Sequence, residues 1–435
     1  MGFLDRGTPE ERLVIYAARD EPAAETLQRV HELLQRGVDG DRLVDICRRT
    51  KTWTMVLETF RALDGDLPAS AQGSLAKLER LKRSVWYPHL LVLSKTRQTV
   101  RTLLRERGLP FTFIRGLNFA ERYYRHPHNR ISGDLDVLLP ENVWREAEAL
   151  FIASGFAQGE PERVAEARRM YMGQVELLHR QSRVSLDLNW RMTGNAGIGD
   201  VCVDMDEMWK RAIPAGDSEL SLSPADCLWD LVRHVGHGHD FGRGGLIVRA
   251  CADVNALMRK ASDEVDWEYL RYQARKGRFV RIWAFFSHFY DSRYCETGDV
   301  RLADCVPEAR QRSTAPEREL FFGSIIGPRA VAGISNGNAR NVFIHTNLAL
   351  LAKLWGVDTF AGLVGILRGL LWPSEWEWRL LTSSAAPGFG LPQRMRFWAD
   401  LSMALPGILA GSLMRLAWGI LWAPAVLCRP RQKTR

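Results

Sequence analysis

The sequence predicts an α+β fold: a small mixed β-sheet core flanked by N-terminal and C-terminal helical regions. Three observations carry this expectation. Residues 8 to about 107 place apolar side chains at mixed three- and four-residue spacings, with Leu43, Ile46, Met55, Val56, Leu57 and Phe60 as examples. Residues 109 to 192 alternate short apolar runs of strand length with helix-like stretches. From residue 222 to about 300 the helical pattern returns. A chain of 435 residues with 46% hydrophobic and 25% charged residues has ordinary globular composition and room for two or three domains.

Taken in order, Thr8-Pro9-Glu10-Glu11 is a helix start, with a capping residue, proline at the first position and acids in the first turn. A helix containing Val85-Trp86 runs through Leu104 and ends near Gly108-Leu109-Pro110. Phe111–Arg115 reads as a strand, Leu117–Tyr124 as a helix and Leu135–Leu139 as a strand. Pro140 precedes a helix over Glu141–Ser154, and Gly155 ends it. Val175–Arg180 and Val184–Trp190 form a strand pair around the turn Gln181-Ser182-Arg183. Ser223-Pro224-Ala225-Asp226 opens the next helix. The expected division is a helical region over 1–108, an α/β core over 109–215 and a second helical domain over 216–305. A linker rich in Arg, Gly, Ser and Pro follows over 306–341, then a helical region over 342–398 and an apolar segment with a basic tail over 399–435.

A net charge of +8 and a pI near 9.2 favour polyanionic partners. No nucleic-acid reading motif accompanies the charge, so nucleic acid is not the expected partner. The seven cysteines are scattered and never form a CxxC pair, which excludes a zinc ribbon and a disulfide framework. Together with a start that lacks an apolar signal core, this predicts a cytoplasmic location.

Asp134 and Asp136 carry the chemistry. Residues i and i+2 of a strand share a face, so both carboxylates point the same way at the mouth of an apolar strand. Two such carboxylates repel unless a cation lies between them, and magnesium, with manganese as a substitute, is the natural occupant because it takes oxygen ligands and shares them with phosphates. Phosphoryl or nucleotidyl transfer is the expected reaction class, with a nucleoside triphosphate as substrate. A third acid should come from a neighbouring strand. Asp187 alternates away from Leu186 and Leu188 and is the candidate, as metal ligand or as the base that takes the acceptor proton. Gly116 would let backbone approach phosphate at a helix start, and Arg115 and Arg130 could each neutralise a phosphate.

These residues resemble the uncharacterised nucleotidyltransferase-like family of the polymerase-β superfamily, which is related to aminoglycoside and lincosamide nucleotidyltransferases. That family carries an apolar strand ending in Lys-Gly, a helix, an Arg shortly before Asp-x-Asp, and later a strand of the form acid-x-His-Trp-Arg. Here the matching positions are Ile114-Arg115-Gly116, then Arg130, then Gly133-Asp134-Leu135-Asp136, then Asp187-Leu188-Asn189-Trp190-Arg191. The downstream Arg249-Ala250-Cys251-Ala252-Asp253 is similar too. The resemblance implies metal binding by Asp134, Asp136 and Asp187, and nucleotide binding by Arg115, Gly116, Arg130 and Gly133. Two positions depart from the pattern: arginine replaces the lysine at 115, and asparagine replaces the histidine at 189.

Two other readings stand beside this one. His234, His239, Asp240 and Asp253 have the ligand types of an HD-like phosphohydrolase, although Gly236 and Gly238 interrupt any helix around them. A non-catalytic binding or scaffold protein with the same fold is the other. The segment from Leu401 to Cys428 is almost free of charge apart from Arg415, contains Pro406 and Pro424, and ends in Arg429, Arg431, Lys433 and Arg435. An apolar stretch next to a basic tail suits the surface of an anionic membrane better than a span. It predicts a location peripheral to the inner membrane and an acceptor among cell-envelope or polysaccharide precursors.

Overall fold

The structure is a computed structural model, and it describes residues 8–63, 67–192, 203–238, 246–277, 279–295 and 300–307. Six helices come first: α1 (Pro9–Ala17), α2 (Ala24–Gln35), α3 (Gly40–Thr50), α4 (Trp53–Ala62), α5 (Ala69–Leu81) and α6 (Tyr87–Glu106). The expected start at Thr8 is a full capping box. Thr8 Oγ1 accepts from the Glu11 N–H at 3.4 Å, and Glu11 Oε2 accepts from the Thr8 N–H at 3.1 Å. A π-helical turn over Lys82–Trp86 joins α5 to α6. There Lys82 is buried, and its ammonium donates to Glu58 Oε1 at 2.7 Å and to Asn129 Oδ1 at 3.3 Å.

The sheet segment follows as β1 (Phe111–Ile114), α7 (Gly116–Tyr123), β2 (Asp134–Leu138), α8 (Trp144–Ala153), β3 (Phe156–Gln158), α9 (Glu162–Ala167), β4 (Gln174–His179), β5 (Ser185–Asn189), α10 (Met205–Arg211), β6 (Ile213–Pro214) and β7 (Glu219–Ser221). The strands form one mixed seven-stranded sheet in the order β3-β4-β5-β2-β1-β7-β6. β2 runs antiparallel to β1 and parallel to β5, and β1 runs parallel to β7. The expected strands at 111, 135, 175 and 184 are present within a residue or two of their expected ends. β3, β6 and β7 are additions, each of three residues or fewer, too short for an alternation to register. β7 pairs with β1 although it lies beyond residue 215, so the sheet extends into the stretch expected to be helical.

The alternation divides the sheet cleanly. Phe111, Phe113, Leu135, Val137, Leu186 and Leu188 join Leu93, Val100 and Leu104 of α6 and Phe151 of α8 in one buried cluster. Trp144 stacks on Trp190 with ring centroids 4.0 Å apart. The opposite face of β2 and β5 carries the acids.

Five helices complete the described chain: α11 (Pro224–Arg233), α12 (Leu246–Ala261), α13 (Trp267–Lys276), α14 (Val280–Arg293) and α15 (Leu302–Cys305). Ser223 caps α11 through the Asp226 N–H at 3.2 Å, as its sequence foretold. α11 to α14 share a second core with the N-terminal helices: Leu13, Val30, Leu43 and Phe60 belong to one cluster with Trp229, Leu257 and Phe285. The Arg19 guanidinium closes the arrangement by donating to the Arg293 carbonyl at 2.5 Å. Two helical regions far apart in sequence therefore make one body beside the sheet. Among the described residues no helix is long and apolar enough to cross a membrane. The linker from residue 308, the 342–398 region and the 399–435 segment lie outside the described residues.

Candidate active site

The parallel register of β2 and β5 sets Asp136 directly beside Asp187 and Asp134 beside Ser185. Adjacent strands lie about 4.7–4.9 Å apart, so three carboxylates share a small area of the sheet face turned away from the α6/α8 core. All three are half-buried. Burial raises the Asp136 carboxyl to about 6; Arg115 opposes this, and the charges of Asp134 and Asp230 add to it. Asp187 is pushed well above the usual carboxylate range by burial and then by Asp136 and Asp134. A concentration of acids with raised affinity for protons is what a site for a hard cation presents. The donor chemistry, all carboxylate oxygen, fits magnesium. As the side chains stand, no three ligand-type groups among the described residues converge on one ion position.

Arg115 explains part of that. Its backbone takes φ 56°, ψ −148°, a conformation that non-glycine residues rarely adopt. This turns the chain from β1 into α7 and drives the guanidinium inward. Nη2 donates to Asp136 Oδ1 at 2.9 Å, Nη1 donates to His234 Nδ1, and Nε lies 3.4 Å from Asp230 Oδ2. Asp230 is held in turn by Arg233 at 2.8 Å. Burial works against the Arg115 charge, but Asp136, Asp230 and Asp134 together hold its proton more firmly than usual. Arg115 thus answers the charge of Asp136 from within the protein.

Gly116 follows at φ +49°. A Cβ there would stand 3.1 Å from Ser132 Oγ and 3.9 Å from the Asp134 carbonyl. Only glycine tolerates both the angle and the approach. No side chain caps α7, so the first-turn N–H groups and the positive end of the helix dipole lie beside Asp134.

Arg130 goes elsewhere. It is buried and donates to both carboxylate oxygens of Asp253 on α12, at 2.7 and 2.8 Å, while the Tyr124 hydroxyl donates to the same Asp253 at 2.7 Å. This fork fixes the loop before β2 to the helical body. It also engages Asp253, one of the acids expected for a phosphohydrolase; of the others, His234 accepts from Arg115, and His239 and Asp240 lie outside the described residues. Asn189 donates to the Asp187 carbonyl at 3.0 Å, binding backbone rather than facing the carboxylates as a titrating group.

Two cations outside the expected site residues stand at the Asp134 end. Lys51, the left-handed C-cap of α3 at φ 54°, points at the glycine before Asp134; a Cβ on Gly133 would lie 3.6 Å from its Nζ. Arg249 lies one turn before Asp253 on α12. Burial pushes the pKa of both down, followed by the charge of Arg249 for Lys51 and of Arg130 for Arg249; Asp134 acts on both in the opposite sense. Nothing in the local sequence marks Lys51, which falls in a region expected to be scaffold. Arg249 is quoted in the family pattern, but its i, i+4 spacing to Asp253 is the only local hint of its placement.

Carboxylates on adjacent strands, a glycine-led helix start beside them and a helical body closing over the rim define a nucleotidyltransferase-like α+β protein. A family model described as uncharacterised nucleotidyltransferase matches residues 36–294, and the chain belongs to that family. No match is found among curated proteins or among solved structures.

Proposed function

We propose that this protein is a metal-dependent nucleotidyltransferase that moves a nucleoside monophosphate from a nucleoside triphosphate to an acceptor hydroxyl. The observation that carries the reading is the register of Asp136 beside Asp187, with Asp134 on the same face and the open start of α7 next to it. Asp134, Asp136 and Asp187 would hold magnesium, which when bound neutralises phosphate charge and lowers the pKa of a bound hydroxyl. Gly116 and the N–H groups after it would receive phosphate oxygens. Asp187, which holds a proton more tightly than an ordinary carboxylate, is suited to take the acceptor proton. The acceptor oxygen bonds to the α-phosphorus, the bond from that phosphorus to the pyrophosphate oxygen breaks, and pyrophosphate leaves with the electron pair. Arg115 would pass from Asp136 toward the phosphates as the metal takes its place. Arg130 and Gly133 would act by holding the loop before β2. If residues 399–435 bind an anionic membrane surface, the acceptor is a small molecule or precursor of the cell envelope. Sedimentation of the full chain with anionic vesicles, compared with a chain ending at 398, tests that part.

The main test is calorimetry on the full chain with each of the four nucleoside triphosphates, with and without magnesium. Magnesium-dependent binding of at least one, lost in Asp134→Ala/Asp136→Ala, is expected. The Arg115–Asp136 contact favours one alternative, a non-catalytic member in which arginine has replaced the cation for good. Wild-type protein that binds none of the four would support it.

A further inference from the structure

We infer that Lys51 and Arg249 form a phosphate clamp at the Asp134 end of the carboxylate row, built by the helical body rather than by the sheet. The inference rests on the nucleotidyltransferase reading for the identity of the phosphate, but the clamp itself stands on geometry. Lys51 comes from the C-terminus of α3 and sets its ammonium beside Gly133, Arg249 comes from α12 one turn before the Asp253 that grips Arg130 of the same loop, and the charge of Asp134 acts on both. Both are half-buried, and among the described residues neither makes a hydrogen bond or an ion pair with an acid. The neighbouring acid and base are already matched, because Asp253 is fully engaged by Arg130 and Tyr124. Among the described residues Asp134 is the acid whose charge acts on both cations, and it carries no ion pair of its own.

Unpaired cations that have lost part of their water are unfavourable unless something anionic joins them. A divalent ion on Asp134 would deepen the excess of positive charge. The backbone adds a second sign. Lys51 holds a left-handed conformation that is unfavourable for a side-chain-bearing residue, and it sits where asparagine or glycine would be at ease. That strain aims its ammonium at Gly133, which is exposed and has no side chain to obstruct a ligand. A phosphoryl group with several acceptor oxygens fits between a point-charge donor and a planar guanidinium. Arg115 and Arg233 serve the other end of the row, around Asp136 and Asp230. The phosphate has two sources, the triphosphate of the nucleotide or a phosphate carried by the acceptor.

The experiment uses full-length wild type, Lys51→Asn, Arg249→Gln and Arg107→Gln, the last in an exposed ion pair with Glu146 and remote from the acids. Calorimetry measures ATP with magnesium, inorganic tripolyphosphate without metal, and inorganic phosphate on protein saturated with ATP. Asparagine suits the left-handed angle at 51, so a circular dichroism melt at or above that of wild type is expected and excludes misfolding. If the clamp takes the triphosphate, Lys51→Asn and Arg249→Gln each weaken ATP and tripolyphosphate at least tenfold, while Arg107→Gln does not. If it takes the acceptor's phosphate, the same variants weaken inorganic phosphate at least tenfold and leave ATP unchanged. Magnesium-dependent ATP binding indifferent to both variants, with no phosphate binding that depends on them, overturns the clamp and leaves the nucleotidyltransferase reading intact. Tripolyphosphate binding that needs Lys51 and Arg249, in a protein that binds no nucleoside triphosphate, upholds the clamp and removes that reading. Failure of wild type to bind tripolyphosphate, inorganic phosphate or any of the four nucleoside triphosphates overturns both.

Discussion

Arg115 follows β1 and Arg130 precedes its neighbour β2, both meet aspartate, and their surroundings differ. Arg130 itself is matched: two N–H groups meet the two oxygens of one carboxylate, and Tyr124 completes it. Around Arg115 the acids outnumber what one guanidinium can answer. Asp136, Asp230, Asp134 and Asp187 all act on its charge, and both Asp136 and Asp187 are left with raised proton affinity. The first arrangement is a closed staple between the sheet and the helical body. The second is incomplete, and the missing component is positive charge. A buried ion pair is judged by whether its partners are saturated, because desolvation is repaid only when every lone pair and proton finds a match.

The largest expected effect breaks the closed side. Asp253→Ala leaves Arg130 charged and buried without a partner and strips the Tyr124 hydroxyl of its acceptor, so a loss of about 3–5 kcal/mol is expected in urea unfolding. A loss below about 1 kcal/mol would mean that the staple is not saturated after all. Arg115→Met should cost less, about 1–3 kcal/mol, because it removes one cation from a group whose acids already repel one another. Millimolar magnesium should recover part of this loss in Arg115→Met and none of it in Asp253→Ala. Equal responses of the two variants to magnesium would erase the distinction between them. Gly116→Ala tests the turn alone: φ +49° and the 3.1 Å approach to Ser132 Oγ predict a loss of about 1–2 kcal/mol, with Ser132→Gly relieving the contact but not the angle. The smallest effect has the opposite sign. Asp187→Asn removes a half-buried carboxylate from its like-charged neighbours and should raise the unfolding free energy by up to about 1 kcal/mol while abolishing nucleotide transfer. A destabilised Asp187→Asn would place Asp187 on the closed side of the comparison.

The local parts of this arrangement were open to reading in the chain itself. Alternation along 134–138 and 185–189 told which side chains share a face, since a strand's period of two is a property of consecutive residues. The capping residues at Thr8 and Ser223 and the glycine ending the helix before β3 are equally local signals. The family pattern marked Arg115 and Arg130 alike, as near-equal candidates for phosphate. Nothing within a few residues of either separates them, because their partners lie 21 to 123 positions away. Lys51 was invisible for the same reason: its neighbours Gly133 and Asp134 belong to another element, and a lysine after a helix end is ordinary in isolation. The short strands β3, β6 and β7 escaped because three residues or fewer cannot display a period.

The longer helices and strands and the shared face of the carboxylates were thus set by patterns spanning a few residues, where backbone geometry alone dictates the outcome. Tertiary packing decided which acid each arginine meets, that the two helical regions form one core, and that Lys51 and Arg249 converge on Asp134. Charges interact through space, so only the folded chain brings them within the few ångströms at which they determine one another's state.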